Sequence, residues 1–436
     1  MLIADKIKSL KNDRSFMKYF KNTSWLLIEK IIRVIVYFFV WIWVARYLGP
    51  KQFGILNFSQ SFVALFLVFS TLGLDSIAIK ELVKKPEKRN MILGTAFILK
   101  LVGALFSIII IAISIEFSSS DNNTKLMVII IAAGLIFQSM NVIDFYFQSK
   151  VQGKYVALCN IAVISISSTV KVILILCHSP LIYFAYTSIL DSLILSIGLM
   201  FFYHQNKLSI YKWVFKLAIA RQLLSKSWPL IISSISIILY MRIDQVMINA
   251  FFDSNEVGIY AAATKISEAW YFIPIVITAS LFPAIIDSYE TDIHLYRRRL
   301  SRLYKLMLII SAAIIIPTTL LAPIIIPVVF GEEYRNSSDI LTLHIWAGIF
   351  VSIGVANSKR LITENLQKFS SINTFIGAIS NIILNLILIP TYGGKGAAVA
   401  TLISQFVSAY FCLYFFKDTR IMFKDISASI ICKRIT

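Results

Sequence analysis

The sequence predicts an all-α polytopic membrane protein, with twelve transmembrane helices in two six-helix bundles related by a parallel pseudo-two-fold repeat. Three observations predict it. The 436 residues are 58% hydrophobic and only 15% charged, with a mean hydropathy of +0.78, against about 45–50% and about 25% in soluble domains. Twelve apolar windows follow one another along the chain. The lysines and arginines between them alternate from side to side without one inversion.

The first window is Trp25 to Gly49, WLLIEKIIRVIVYFFVWIWVARYLG, followed by PKQFGI. At ~1.5 Å per residue it is long enough to cross a hydrocarbon core of about 30 Å with some tilt. Further windows fall near 53–74, 93–115, 126–143, 157–177, 181–203, 228–250, 258–282, 306–329, 340–358, 370–390 and 396–416. The even-numbered connections and both tails carry 31 Lys and Arg residues, among them Lys6, Lys8, Lys11, Arg14, Lys18 and Lys21 of the N-terminal tail and Lys417, Arg420, Lys424, Lys433 and Arg434 of the C-terminal tail. The odd-numbered connections hold only Arg46, Lys51, Lys125, Arg335 and Lys395. By the positive-inside rule both termini are cytoplasmic. The net charge of +19 is therefore topological, and its partner is anionic headgroups of membrane lipids, not nucleic acid.

This spacing divides the chain into a basic N-terminal segment (1–24), a first bundle (25–203), a cytoplasmic linker (204–227), a second bundle (228–416) and a C-terminal tail (417–436). No apolar stretch precedes Trp25, so no cleavable signal peptide is expected. The linker reads either as an interfacial helix, with Lys212, Trp213 and Lys216 in the headgroup zone, or as a plain tether. External connections are about ten residues or fewer and leave no room for a folded domain. Cys159 and Cys177 sit at opposite ends of one span, and the four cysteines show no paired spacing. Neither His178 nor His344 has a second ligand at metal spacing, and no nucleophile–base arrangement suggests catalysis. The halves echo each other. Trp25 matches Trp228, and QFGI (52–55) matches EVGI (256–259), at offsets of 203 and 204. Residues 155–176 echo 369–389 at an offset near 214. Six spans per half in one orientation give a parallel repeat, a transporter architecture.

Three stretches carry a family resemblance: WVARYLGPKQFGILNF (43–58), YMRIDQVMINAFF (240–252) with VGIYAAATKISEAW (257–270), and NIILNLILIPTYGGKGAAVATLISQ (381–405). With them the sequence resembles the polysaccharide transporter family, the O-antigen and lipid-linked oligosaccharide flippase branch of the multidrug/oligosaccharidyl-lipid/polysaccharide exporter superfamily. The resemblance implies two bundles facing each other in a V around a central cavity. It implies a flippase, not an enzyme, that moves undecaprenyl pyrophosphate-linked O-antigen repeat units across a bacterial inner membrane for lipopolysaccharide biosynthesis. It implies alternating access driven by an H+ or Na+ gradient, as in an antiporter. An O-antigen polymerase and a chain-length regulator are the protein partners it implies. No GxxxxGK[ST] loop for ATP occurs, and no cofactor is expected.

Charges inside the spans are the candidate site residues, because a charge in hydrocarbon must pair, snorkel or face water. The cations Arg33, Lys171, Arg242 and Lys265 are candidates for the substrate's phosphates. The carboxylates Glu29, Asp191, Asp244 and Glu268 are candidates for ion coupling or a static network. Glu29 and Arg33, four apart, share a helix face, as an internal pair or as cavity lining. Lys30 and Lys100 are expected to snorkel to the cytoplasmic surface. Lys171 lies ~21 Å deep, with Ser167 and Ser168 one turn away. Asp191 is its partner or a proton site. Arg242 and Asp244, two apart, cannot face each other, whereas Lys265 and Glu268, three apart, can. Asp75 and Asp144 are expected at headgroup level. Pro274 and Pro283 are candidate kinks. Two other readings compete: a membrane-embedded O-antigen polymerase or acyltransferase, and a multidrug cation exporter on the same fold. The first would bring a large external loop. The second would bring a net-acidic pocket, whereas the first bundle holds four intramembrane cations against two anions.

Overall fold

The computed structural model describes residues 14–118 and 120–430. Lys6, Lys8, Lys11, Cys432, Lys433 and Arg434 lie outside the described residues, as do the side chains of Arg14, Lys18 and Lys21. No strand occurs among the described residues. Ten helical stretches are long and apolar enough to cross a membrane. Helix is the expected answer, because hydrocarbon offers no partner for a free backbone N–H or C=O.

The helices, in order, are α1 (Arg14–Thr71), α2 (Leu74–Lys84), α3 (Arg89–Glu116), α4 (Asn122–Gln138), α5 (Val142–Ser149), α6 (Gly153–Leu176), α7 (Leu181–Gln205), α8 (Leu217–Phe251), α9 (Ser254–Glu268), α10 (Phe272–Thr291), α11 (Ile293–Phe330), α12 (Ser337–His344), α13 (Ala347–Thr363), α14 (Gln367–Phe406), α15 (Cys412–Phe415) and α16 (Arg420–Ile430). Two of the ten stretches are far longer than one crossing needs. They are Ser24–Lys84, of 61 residues, and Gln367–Phe415, of 49. Each contains a glycine that leaves helical geometry, Gly49 at φ 67° and Gly393 at φ 55°. Glycine takes a positive φ at no steric cost. Pro50 follows Gly49 and suits the first position of a new helix, where its missing N–H would be unpaired anyway.

Neither candidate kink, Pro274 nor Pro283, marks the break in this region. α9 ends at Glu268 and α10 begins at Phe272, so the break is at 269–271. Pro274 sits in the first turn of α10, where proline is tolerated, and Pro283 lies inside an unbroken helix. At the start of α11, Asp292 caps the helix and accepts hydrogen bonds from the His294 (2.8 Å) and Leu295 (3.2 Å) N–H groups. Those of Leu295 and His294 hold its carboxyl below the usual carboxylate range.

The chain forms two compact units. The first comprises Met1–Val44 and Phe62–Ser234, the second Ala45–Ser61 and Ile235–Thr436. In the first, Leu74, Leu93, Val142, Phe147, Leu199 and Tyr203 form a core. Residues 206–216 are strapped onto it and are not a free tether. Trp213 Nε1 donates to the Tyr203 hydroxyl (3.2 Å), and the N–H groups of Val214 and Lys216 donate to Asn90 O (3.2 Å) and Thr95 Oγ1 (3.0 Å). α8 is also tied to this unit at its start, where buried Glu81 accepts from Lys226 (2.7 Å) and Gln222 (3.0 Å).

In the second unit, Ile285, Tyr304, Met307, Ile353 and Leu413 pack with Met422 and Ile426 of α16. Part of the C-terminal tail is thus a docked helix. Arg360, only 3% exposed, reaches both Glu364 and Asp425 of α16 at 2.8 Å. The outward faces of both units are apolar. Phe39, Ile109 and Leu320 are more than half exposed, as side chains immersed in lipid should be.

Candidate functional site

Each unit encloses its own cluster of intramembrane charges. In the first, the i,i+4 spacing on α1 does what the sequence suggests. Arg33 Nε donates to Glu29 Oε1 at 2.7 Å, and Nη2 contacts the same oxygen. Glu29 is buried, Arg33 half-buried and Lys30 exposed.

Deeper along the unit, α6 and α7 bring Lys171 and Asp191 together. Lys171 is 7% exposed. Its Nζ donates to Ser167 Oγ at 2.9 Å and lies 3.9 Å from Asp191 Oδ2. Two rings of α1 complete the surround, Tyr37 at 5.5 Å and Trp41 at 5.9 Å from the ammonium. Aromatic faces stabilise a cation without neutralising it. Asp191 Oδ1 is buried and takes no hydrogen bond among the described residues. Tyr37 lies within electrostatic reach of Asp191, Arg33 and Glu29, so the two pairs belong to one neighbourhood. The geometry places Asp191 beside Lys171 as its ion-pair partner. A lysine held by one partially exposed carboxylate, one hydroxyl and two rings can exchange that carboxylate for a phosphate oxygen. Its point charge suits such an exchange.

The expectation for Lys100 is corrected. It does not snorkel but is 3% exposed, 3.9 Å from Asp75 and over the Phe145 ring at 5.0 Å. Asp75, itself largely exposed, supplies the nearest carboxylate, and Asp144 lies within electrostatic reach of the ammonium. Tertiary packing of α2, α3 and α5 closes over a residue that its own helix would have let reach the surface.

In the second unit, Asp244 of α8 is 5% exposed and ringed by neutral donors. Tyr260 Oη and Thr401 Oγ1 each donate to Oδ2 at 2.7 Å, and Asn385 Nδ2 donates to Oδ1 at 2.6 Å. Asn385 also donates to Asn381 Oδ1 at 3.1 Å. Four uncharged side chains from α9 and α14 thus surround one carboxyl. Glu268 is half-buried, with Arg242 and Lys265 in electrostatic reach, so the Lys265–Glu268 neighbourhood is real and Arg242 joins it. Adjacent to this, buried His344 pairs with Ser267 Oγ (2.8 Å) and packs edge-on against Tyr260. No group of three or more metal-ligating side chains occurs among the described residues.

Tyr37, Trp41, Tyr260, Asn381, Asn385 and Thr401 were not singled out from sequence. One signal was present. Asn381 and Asn385 are polar residues four apart in the run NIILNLILI, on one helix face in an otherwise apolar span.

The sequence model of the family described as polysaccharide biosynthesis protein matches residues 19–289, more than half of the chain. The chain belongs to that family. Among its relatives is a probable low-salt glycan biosynthesis flippase of Haloferax volcanii, 26% identical over 189 residues, a match spanning 42% of this chain and only 39% of that protein. A putative O-antigen transporter of Shigella flexneri is 20% identical over 403 residues, spanning 88% of this chain and 94% of that one. Among solved structures, the fold is similar to an inward-facing multidrug-resistance MATE family transporter of the MOP superfamily (TM-score 0.73, 15% identity, 93% of this chain and 99% of that). It is also similar to the lipid II flippase MurJ in an inward closed conformation (TM-score 0.71, 18% identity, 93% and 90%).

Proposed function

We propose that this protein is a flippase for undecaprenyl pyrophosphate-linked O-antigen repeat units, carrying them from the cytoplasmic to the periplasmic leaflet of a bacterial inner membrane by alternating access. The observation that carries the reading is the Lys171 cluster. A buried ammonium, poised beside an exchangeable carboxylate, sits in a unit whose intramembrane charge is net positive. That is the chemistry a pyrophosphate headgroup needs while its sugars leave the cytoplasm. Arg33 is the second candidate phosphate contact, with Arg242 and Lys265 as those of the second unit. Family membership supports the substrate class, and the names of the Haloferax and Shigella relatives point the same way.

Twelve crossings follow when the two longest stretches are divided at Gly49 and Gly393. Both termini then lie in the cytoplasm, with 31 Lys and Arg inside and 5 outside. The net-positive first unit favours an anionic cargo over the organic cations of a multidrug exporter.

Deleting the gene and labelling lipid-linked sugars tests the reading. Complete repeat units should accumulate on the cytoplasmic face while surface O-antigen disappears. Single units accumulating on the periplasmic face would overturn it in favour of a polymerase.

Asp244 is the candidate coupling residue. A carboxyl surrounded by neutral oxygen and amide groups can hold either a proton or a sodium ion. Asp244→Asn keeps the size and removes the charge. Uptake by proteoliposomes under an imposed pH or sodium gradient is expected to fall about tenfold, equivalent to ~1.4 kcal/mol. Gradient-driven uptake equal to that of the unaltered protein would remove Asp244 from this role.

A further inference from the structure

The second unit holds a cavity of about 280 Å³ between α8, α13, α14 and the π turn Val407–Phe411. We infer that this cavity is a binding subsite for one uncharged sugar ring. The identity of the cargo rests on the flippase reading above; the chemistry of the cavity does not.

The lining decides the ligand class. Ser358, Ser370, Asn373, Thr374, Gln405 and Ser408 present hydroxyls and carboxamides, and no Asp, Glu, Lys or Arg contributes to the wall. Such groups both donate and accept, as the hydroxyls of a sugar do. A cation would find no carboxylate here and a phosphate no base, and Val351, Val355 and Leu361 give the wall an apolar part that suits the carbon face of a ring. Tyr240 adds an aromatic ring to the wall. The volume equals roughly nine waters at ~30 Å³ each. It lies just under the roughly 300–1,000 Å³ of drug-sized sites. One pyranose ring fits, and a whole repeat unit does not.

Two further features point to a ligand. Asn373 is 6% exposed, and its Oδ1 has no hydrogen-bond partner among the described residues. A buried acceptor left unpaired is unfavourable unless something fills its place. The second feature is Gly354. Glycine in a helix interior is destabilising relative to alanine, and nothing in the packing demands it here. A Cβ would meet only Ala409 Cβ, at an ordinary 3.5 Å. What the missing side chain provides is room in the cavity wall. Ala409, the neighbour of Gly354, belongs to the π turn, a distortion frequent at functional sites.

The experiment uses the full-length protein in nanodiscs and saturation-transfer NMR. The probes are free glucose, galactose, rhamnose and N-acetylglucosamine at tens of millimolar. At least one should receive saturation from the protein. Asn373→Leu should weaken that sugar about tenfold, the scale of one buried hydrogen bond. Gly354→Leu fills the cavity without removing a packing contact, and should abolish the transfer even if Asn373→Leu misfolds. No transfer to any of the four sugars, or transfer unchanged in both variants, overturns the inference. The two readings fail separately. Sugar binding lost in these variants, with O-antigen export intact in the deletion strain, keeps the subsite and removes the flippase. Blocked export without sugar binding does the reverse.

Discussion

Lys171→Met should reduce surface O-antigen by about tenfold or more, ~1.4 kcal/mol or more, and Asp191→Asn should do the same. Lys171→Met keeps most of the apolar stem that packs beside Tyr37 and Trp41 and removes only the ammonium. It leaves Asp191 with a buried oxygen that already takes no hydrogen bond. Asp191→Asn leaves a lysine 7% exposed, with Ser167 and two rings but no counter-charge. Removing one member of a buried ion pair destabilises by about 3–5 kcal/mol. The 3.9 Å separation and the 27% exposure of Asp191 argue for a smaller effect, about 1–2 kcal/mol after screening. Each single variant should therefore lower both export and the thermal midpoint of the purified protein. The double variant Lys171→Met/Asp191→Asn separates the two effects. It replaces an ion pair by neutral groups of similar volume, so the midpoint should return while export stays low. Export recovering together with stability would make the pair a structural device and move phosphate contact elsewhere. Arg33→Ala should have a smaller effect, because Arg33 is half-buried and its Glu29 partner lies on its own helix.

These two pairs also show how far the sequence could be read. Glu29–Arg33 was legible because it is local: spacing along one helix decides it. Lys171–Asp191 joins two helices, and spacing left two roles open for Asp191 until α6 and α7 were seen side by side. Lys100 was misread for the same reason in reverse. On α3 alone its stem could reach the surface, and only the approach of Asp75 and Phe145 traps it. The ring around Asp244 was least legible. Its members are an asparagine pair, a threonine and a tyrosine, neutral residues that become a site only by converging on one carboxyl. The apolar windows fared better, because hydrophobic length is read one segment at a time. Two segments whose apolar windows are separated by a single glycine turn merge into one long helix, broken only where Gly49 leaves helical geometry.

Gly54→Ala should destabilise the protein more than any other single methyl addition proposed for it, and Gly258→Ala should come close. The two glycines are the matched positions of QFGI and EVGI, and they pack directly against each other. A Cβ on Gly54 would lie 1.6 Å from Ser254 O, and one on Gly258 would lie 1.9 Å from Pro50 O. In both cases the obstacle is backbone, which cannot rotate aside as a side chain can. The start of α9 and the part of α1 after Pro50 would have to move apart. That would strain the neighbouring contacts of Tyr334, whose hydroxyl donates to Ala45 O at 2.8 Å and whose ring packs on Phe53. Overpacking a well-filled site costs about 1–3 kcal/mol, and a backbone obstacle places these variants at the upper end. Gly354→Ala is the control, because its Cβ meets only an ordinary contact and helix propensity favours alanine. Thermal midpoints of the three purified variants check the prediction. Gly258→Ala and Gly54→Ala should unfold earlier than the unaltered protein, and Gly354→Ala at the same temperature or later. A Gly258→Ala protein as stable as the parent would mean that the two helices separate without strain, and the glycine pair would then have no part in holding this end of the fold together.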